Sequence, residues 1–262
     1  CMVTTGPIDG PGGVENVAFN IMKQLEENGI KTFGVHAYES YKNPIASAIK
    51  FRSVIKSIEK SKPDIVHTHD TSGYWISKSD MEYIHTSHGT WRHCFEYTTK
   101  SLETRIVQKL ASSMEKNVVN NAKINVAISN FVKRYVSEEY DIRKKMHIIH
   151  NGVDTRKFKP RQTKRNKERL TALWVGTNPA LKGLDIALAA AKIAGMKLLV
   201  VGVDGNDTQG VKYLGRIEPI KMHTIFNMAD ILLFPSRFES YPIVPLEAMA
   251  SGVPVITSDL PG

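Results

Sequence analysis

Lys182 stands at the close of the run Val175-Gly176-Thr177-Asn178-Pro179-Ala180-Leu181-Lys182-Gly183, where a predicted strand ends and a predicted helix begins. A cation there opposes the positive end of the helix dipole, a small loss that a bound diphosphate would reverse. A lysine that is merely solvated is the plain alternative. Further along, Glu239 lies in a loop behind the apolar run Ile231 to Phe234, and Glu247 follows after seven intervening residues. Pro245 suits a first helical position because it needs no amide partner there, so Glu247 is expected in the first turn. Its two oxygens could accept both hydroxyls of a ribose diol beside amides that hold phosphate. Plain dipole complementation, worth about 0.3 to 1 kcal/mol, would explain the same residue structurally.

The first half carries a different set. His88-Gly89 follows the predicted strand Tyr83 to Ser87, so the imidazole should emerge at the carboxyl edge of a parallel sheet, where α/β proteins bind ligands. A hydrogen-bonded structural histidine remains open. His67 and His69 are two apart at a strand end and share one face. With no third ligand indicated by spacing, they read as a packed pair rather than a metal site. Gly6-Pro7-Ile8-Asp9-Gly10-Pro11-Gly12-Gly13 joins a strand to a helix, and paired glycines allow close backbone approach to phosphate or a carboxylate. Glu15 stands where a dinucleotide fingerprint counted from Gly10 needs glycine, and no phosphate-loop motif G-x-x-x-x-G-K-[ST] occurs. A tight turn and a ligand cradle are both open. Asn151-Gly152 in the run Ile149 to Asp154 is expected to supply positive φ in a turn, facing either a ligand or the exit of a domain.

Short apolar runs alternate with helical patterns throughout. Strands are expected at Cys1 to Thr5, Lys31 to His36, Asp64 to Thr68, Tyr83 to Ser87, Ile124 to Ile128 and His147 to Ile149, with helices at Val14 to Glu27, Ile45 to Lys60, Leu102 to Asn120 and Phe131 to Glu138. In the first helix Val14, Val17, Ala18, Ile21, Met22 and Leu25 recur at the spacing of one buried face. The second half should run strand Leu173 to Gly176, helix Gly183 to Ile193, strands Lys197 to Val201 and Tyr213 to Leu214, helix Pro219 to Met228, strand Ile231 to Phe234, helix Pro245 to Ala250 and strand Val255 to Thr257. Such alternation requires parallel pairing with right-handed crossovers. The expected architecture is therefore α/β: a Rossmann-like domain over 1–155, a basic linker over 156–169 and a second Rossmann-like domain over 170–262. The chain ends just after a strand with no helix left to cover it, so the second domain is expected to be C-terminally incomplete.

The 262 residues, 42% hydrophobic and 23% charged with 18 Gly and 12 Pro, suffice for two cores and exclude collagen-like, coiled-coil and disordered classes. No apolar run approaches the roughly 20 residues of a membrane helix, so a soluble or at most peripheral protein is expected. Two cysteines are too few for a disulfide framework, which favours a reducing cytoplasm. Eight basic residues between Arg156 and Arg169 face Glu168 alone and supply +7 of the net +9. One solvated linker therefore makes the chain basic; contact with anionic lipid or phosphate is its second reading, and nucleic acid is disfavoured because only Phe158 interleaves the charges.

Taken in order, Gly12-Gly13-Val14-Glu15, His88-Gly89, Asn151-Gly152-Val153-Asp154 with Phe158 and Pro160, Lys182-Gly183, and Glu239 to Glu247 leading into Ala248-Met249-Ala250 resemble the retaining, nucleotide-sugar-dependent glycosyltransferases of family four, which have the GT-B fold. The resemblance spans nearly the whole chain, and the paired glutamates are its most specific element. It implies two Rossmann-like domains facing a cleft and transfer of a sugar from a nucleoside-diphosphate donor to an acceptor hydroxyl with retention. No metal or cofactor is implied. It further implies that Glu247 binds the donor ribose and Lys182 its diphosphate, that the amides of Ile243 and Val244 cap the phosphates, and that Glu239 contacts the transferring sugar. Gly12 and Gly13 would lie beneath the phosphates, His88 near the reacting sugar, and Arg216 and Ile217 where the base is held. Thr177 departs from the basic residue common in the family, so Arg216 or Arg237 would have to supply that charge. The implied partners are the donor and a glycan or lipid-linked acceptor, with no nucleic acid; the expected location is the cytoplasm, with peripheral contact at the inner membrane face as the further reading of the basic run. A nucleotide-sugar epimerase and a nucleotide-sugar-binding module without turnover remain as alternatives on the same architecture.

Overall fold

A computed structural model describes residues 1–4, 13–36, 55–90, 101–160 and 169–261. The chain divides into two units, Cys1–His150 and Asn151–Gly262. In the first unit, strands β1 (Met2–Thr4), β2 (Gly34–His36), β3 (Val66–His69), β4 (Tyr83–Ser87), β5 (Ile124–Ala127) and β6 (Met146–Ile148) form one sheet in the order β2-β1-β3-β4-β5-β6. Every pairing is parallel, so the connections cross over through α1 (Gly13–Glu27), the helical residues 55–61, α2 (Leu102–Asn121) and α3 (Asn130–Tyr140). Val3, Ile58, Val66, Ile76, Tyr83, Val118 and Ala122 form the core. Ser129 caps α3 by accepting the Val132 amide at 3.1 Å, the role for which a serine oxygen before a helix is suited.

The second unit is a five-stranded parallel sheet in the order β11-β10-β7-β8-β9, made by β7 (Thr171–Val175), β8 (Lys197–Val201), β9 (Val211–Tyr213), β10 (Ile231–Phe234) and β11 (Val255–Thr257). Alternate residues of one strand serve opposite cores. Ala172 and Trp174 pack with Leu198, Val200 and Leu233 beneath α4 (Leu184–Ile193). Leu173, Leu232 and Phe234 face the other way and pack with Phe226 of α5 (Met222–Phe226) and Ala248 of α6 (Ile243–Ala250). Both faces of the inner strands are covered, as a parallel sheet requires, while β11 at the edge is largely open, with Ile256 59% exposed. The helix expected over Pro219 to Met228 is shorter: a 3₁₀ turn at Pro219–Lys221 precedes α5. Residues at the start of the expected basic linker belong to this unit, for Phe158 is 5% exposed and packs edge-on against Phe226. Arg161 to Glu168 lie outside the described residues.

Strand order reverses between β7 and β10, so the loops leaving their carboxyl ends diverge and open a crevice. Those loops also touch. Gly183 has φ +65°, and a Cβ added to it would stand 2.0 Å from the carbonyl oxygen of Pro235. Only glycine tolerates both that dihedral and that approach. No helix among the described residues is long and apolar enough to cross a membrane. Replacement Gly183→Ala should destabilise the second unit by about 2 kcal/mol or more, from left-handed strain plus steric displacement of the Pro235 loop. Denaturant unfolding reads this, and an unchanged midpoint would contradict the packing.

Candidate functional site

At the reversal point of the second sheet, Lys182 and Glu239 form an ion pair with Nζ to Oε1 at 2.5 Å. The two side chains are only 25% and 10% accessible, so solvent screens the pair weakly. Its surroundings hold it from both sides. Asn178 turns the chain by accepting the Leu181 amide on Oδ1 at 3.1 Å and the Lys182 amide on its carbonyl at 2.9 Å, and the buried Trp174 donates its indole N–H to the Lys182 carbonyl at 2.9 Å. Buried Ser236 donates to Glu239 Oε1 at 2.7 Å. Expectation and structure differ in one respect: the negative charge that offsets Lys182 comes from Glu239. Moreover Gly183 is the N-cap and α4 begins at Leu184, so the lysine stands outside the helix.

The first turn of α6 opens beside this pair in sequence. Pro242 precedes it and supplies no side-chain cap, and the first amides of any helix lack intrahelical acceptors. The Ile243 and Val244 N–H groups are therefore available donors on an eight-residue helix. α6 starts two residues earlier than expected, so Pro245 is third in it and Glu247 lies beyond the first turn. Plain dipole complementation is thereby weakened as an account of Glu247. Its carboxyl is half-buried, makes no side-chain hydrogen bond among the described residues, and is pushed up to about 7 by burial, against the opposing charge of Lys157. Lys157 is held by donating to the Pro219 carbonyl at 2.8 Å.

The other carboxyl-edge positions of this sheet converge through their backbone. Gly202 donates to Gly215 at 2.8 Å and Gly176 to Val201 at 3.0 Å. Gly202 has φ +98°, and a Cβ there would meet the Gly176 carbonyl oxygen at 2.4 Å. Arg216 and Ile217 continue from this edge, Arg216 exposed and Ile217 packed on the core. Arg237 is already committed: it grips Asp185 with both terminal nitrogens at 2.9 and 2.7 Å. Thr177 is exposed.

In the first unit, Gly13 opens α1 and is exposed, while Gly12 lies outside the described residues. His88 stands just past β4 at the carboxyl edge, as expected, and bonds through Nε2 to Nδ1 of buried His69 at 2.9 Å. His67 and His69 share a face and stack with centroids 4.6 Å apart, and His67 Nε2 meets Thr86 Oγ1 at 2.8 Å. His85 faces the opposite side and meets Thr68 at 2.9 Å. Burial holds His67 and His88 down to about 4 and His85 to about 3, with the neighbouring rings opposing any charge on His67 and His85. No three potential metal ligands are grouped among the described residues. Asn151 and Gly152 do not adopt positive φ; the turn there is made by Asp154, whose carboxylate and carbonyl accept the amides of Arg156 and Lys157.

Two further residues join these places. Asp70, leaving β3 with φ +48°, accepts the backbone N–H of His88 on its carboxyl, which burial pushes up to about 7. A strained, partly buried carboxyl beside a histidine at a sheet edge makes Asp70 a candidate for the site. The sequence signal was its place directly after the His67-Thr68-His69 strand. Ser236 had no signal, because its role exists only through the Glu239 contact.

Residues 11–157 match the family described as Glycosyltransferase Family 4 and residues 155–262 the one described as Glycosyl transferases group 1. An uncharacterized 41.2 kDa protein of the cps region of Klebsiella pneumoniae is 24% identical over 236 residues, covering 80% of this chain and 64% of that protein. The D-inositol 3-phosphate glycosyltransferase of Corynebacterium urealyticum is 24% identical over 247 residues, covering 76% and 56%. The chain thus spans under two thirds of the length of these relatives. Among solved structures, sucrose-phosphate synthase from Thermosynechococcus elongatus superposes with a TM-score of 0.81 at 18% identity, over 99% of this chain and 81% of that one.

The histidine cluster makes stability depend on pH with a definite sign. Folded values lie below the ordinary 6.5, so the unfolded chain binds more protons, and stability present above about pH 6.5 is lost as pH falls toward 4. The raised carboxyls of Asp70 and Glu247 act with the opposite sign over the same range. The test is therefore made in the Asp70→Asn, Glu247→Gln background, where thermal unfolding should show the midpoint dropping by several degrees between about pH 7 and pH 5 and a flat profile would refute the buried, neutral cluster.

Proposed function

As the chain belongs to glycosyltransferase family 4, its second half matching glycosyl transferases group 1, we propose that it moves a sugar from a nucleoside-diphosphate donor to an acceptor hydroxyl with retention of anomeric configuration. Its fold class is GT-B, two α/β units with parallel sheets. The observation that carries the reading is that the second unit holds a shielded lysine, a helix start without a side-chain cap, and a carboxyl with no side-chain hydrogen bond among the described residues.

Lys182 Nζ has three donors. One serves Glu239, which leaves two for the pyrophosphate, and the Ile243 and Val244 amides add uncharged donors with the helix dipole behind them. As the glycosidic bond breaks, negative charge grows on the leaving diphosphate, and these groups, placed beforehand, stabilise it. No metal or cofactor is called on. Glu247 accepts the ribose hydroxyls, Arg216 and Ile217 flank the base, and Glu239, already bonded to Lys182, turns its second oxygen to the transferring sugar. In the first unit, His88 holds a hydroxyl of the sugar or acceptor at the carboxyl edge of its sheet. Neither the acceptor nor the donor's base follows from these residues.

We also infer contact with an anionic membrane on the cytoplasmic side, the source of a lipid-linked or membrane glycan acceptor. On α2, Leu102, Ile106 and Leu110 recur every four residues and are 74%, 52% and 50% exposed, forming one outward stripe. Arg105, Lys109 and Lys116 are exposed beside it. An apolar stripe flanked by cations suits the headgroup boundary of anionic bilayers.

Two outcomes test the activity. Lys182→Ala should lower kcat/KM for donor consumption by about ten- to a hundredfold, the worth of a charge-assisted hydrogen bond; unchanged transfer would remove the assignment. Glu247 must be ionised to accept two hydroxyls, so nucleoside-diphosphate affinity should rise with pH through about 7, and Glu247→Gln should lose that rise in calorimetry. For the membrane, Ile106→Glu and Leu110→Glu together should abolish sedimentation with phosphatidylglycerol vesicles; wild type that fails to sediment at low salt would end that inference.

A further inference from the structure

Met2, His69 and His88 form a buried line that runs from the first strand to the carboxyl edge of the first sheet. His69 is 0% and Met2 3% exposed. His69 Nε2 lies 3.0 Å from the thioether sulfur of Met2, and His69 Nδ1 lies 2.9 Å from His88 Nε2. A thioether accepts hydrogen bonds weakly and donates none. At that separation a bare Nε2 would place its lone pair against those of sulfur, so the hydrogen of His69 belongs on Nε2. A neutral imidazole carries one N–H. His69 Nδ1 is therefore a bare acceptor, and the hydrogen in its bond to His88 comes from His88 Nε2.

Resting on the reading of His88 given above, we propose that Met2 and His69 are positioning residues that fix His88 as its Nε2–H tautomer and so present its Nδ1 as a hydrogen-bond acceptor for a hydroxyl of the bound sugar or acceptor. Nothing else among the described residues competes for that atom: the Asp70 carboxyl takes the backbone N–H of His88, His67 stacks on His69 and bonds to Thr86, and His85 points to the opposite face with Thr68. Each ring in the line stays neutral through burial, so one donor and one acceptor per ring is the whole inventory. The alternative tautomer would offer an N–H at the edge and reverse what His88 can hold.

Long-range proton–nitrogen correlation spectra of the full chain labelled with ¹⁵N-histidine read the tautomers directly, with no substrate present. Wild type should show His69 and His88 both protonated at Nε2 with bare Nδ1. Met2→Leu keeps the volume and removes the sulfur; it should turn the single His69 tautomer into a mixture, with His88 following, while the unfolding midpoint stays within a few degrees. Wild-type His88 carrying its hydrogen on Nδ1 overturns the proposal, whatever the donor assay shows. So does a Met2→Leu spectrum, from folded protein, with both tautomers unchanged. If the tautomers are as stated, Met2→Leu should also lower kcat with little change in donor KM. Tautomers as stated with full transfer by His88→Ala would confirm the line and remove His88 from the reaction.

Discussion

A lysine ammonium and a glutamate carboxylate 2.5 Å apart, on loops leaving strands β7 and β10, set the terms for the rest of the second unit. Either charge alone, with so little solvent around it, would be costly, because removing a partner from a shielded pair leaves an uncompensated charge. Together they require the two loops to meet, and they meet where Gly183 passes 2.0 Å from a position no Cβ can share with Pro235. Trp174 ties the lysine's carbonyl to the core and Ser236 ties the carboxylate. The ammonium is consequently desolvated, oriented and only partly satisfied before any ligand arrives. That is the state in which an electrostatic group helps most, since little reorganisation remains.

The first unit works by the opposite principle. Its carboxyl edge presents His88, backed by His69 and His67, imidazoles that burial keeps neutral, together with Asp70, whose carboxyl shares their loss of solvent. Such a surface contributes direction rather than charge: each ring has one donor and one acceptor, and its neighbours decide which points outward. A charged sheet edge suits an anionic ligand and a neutral one suits hydroxyls. Glu247 stands between these regimes, a carboxyl that burial keeps near neutrality until a partner favours its ionised form.

Much of this was legible beforehand, and the gaps share a cause. Apolar runs such as Ile231 to Phe234 and Lys197 to Val201 read as strands because both faces of a parallel sheet are buried, and they occupy those residues. The start of α6 was misplaced because Pro245 is equally at home at a first or a third helical position, both before the amide ladder closes. Asn151-Gly152 promised positive φ, yet the turn is made by Asp154 accepting two amides, a side-chain choice that dipeptide preference does not see. Lys182 was expected to wait for a diphosphate to balance it; Glu239, 57 residues away, already does so.

By itself the sequence determined the alternation of strand and helix, hence parallel sheets with crossovers, and placed His88, Lys182, Glu239 and Glu247 at carboxyl edges, because periodicity and capping are local properties of a chain. It also carried the ordered residues from which the family could be read. Tertiary structure alone decided which of those residues touch: that Glu239 answers Lys182, that Arg237 is spent on Asp185, that Met2 reaches His69 across 67 residues. Strand order governs these meetings, and strand order is settled by how buried faces pack, a cooperative outcome that no short stretch of residues contains.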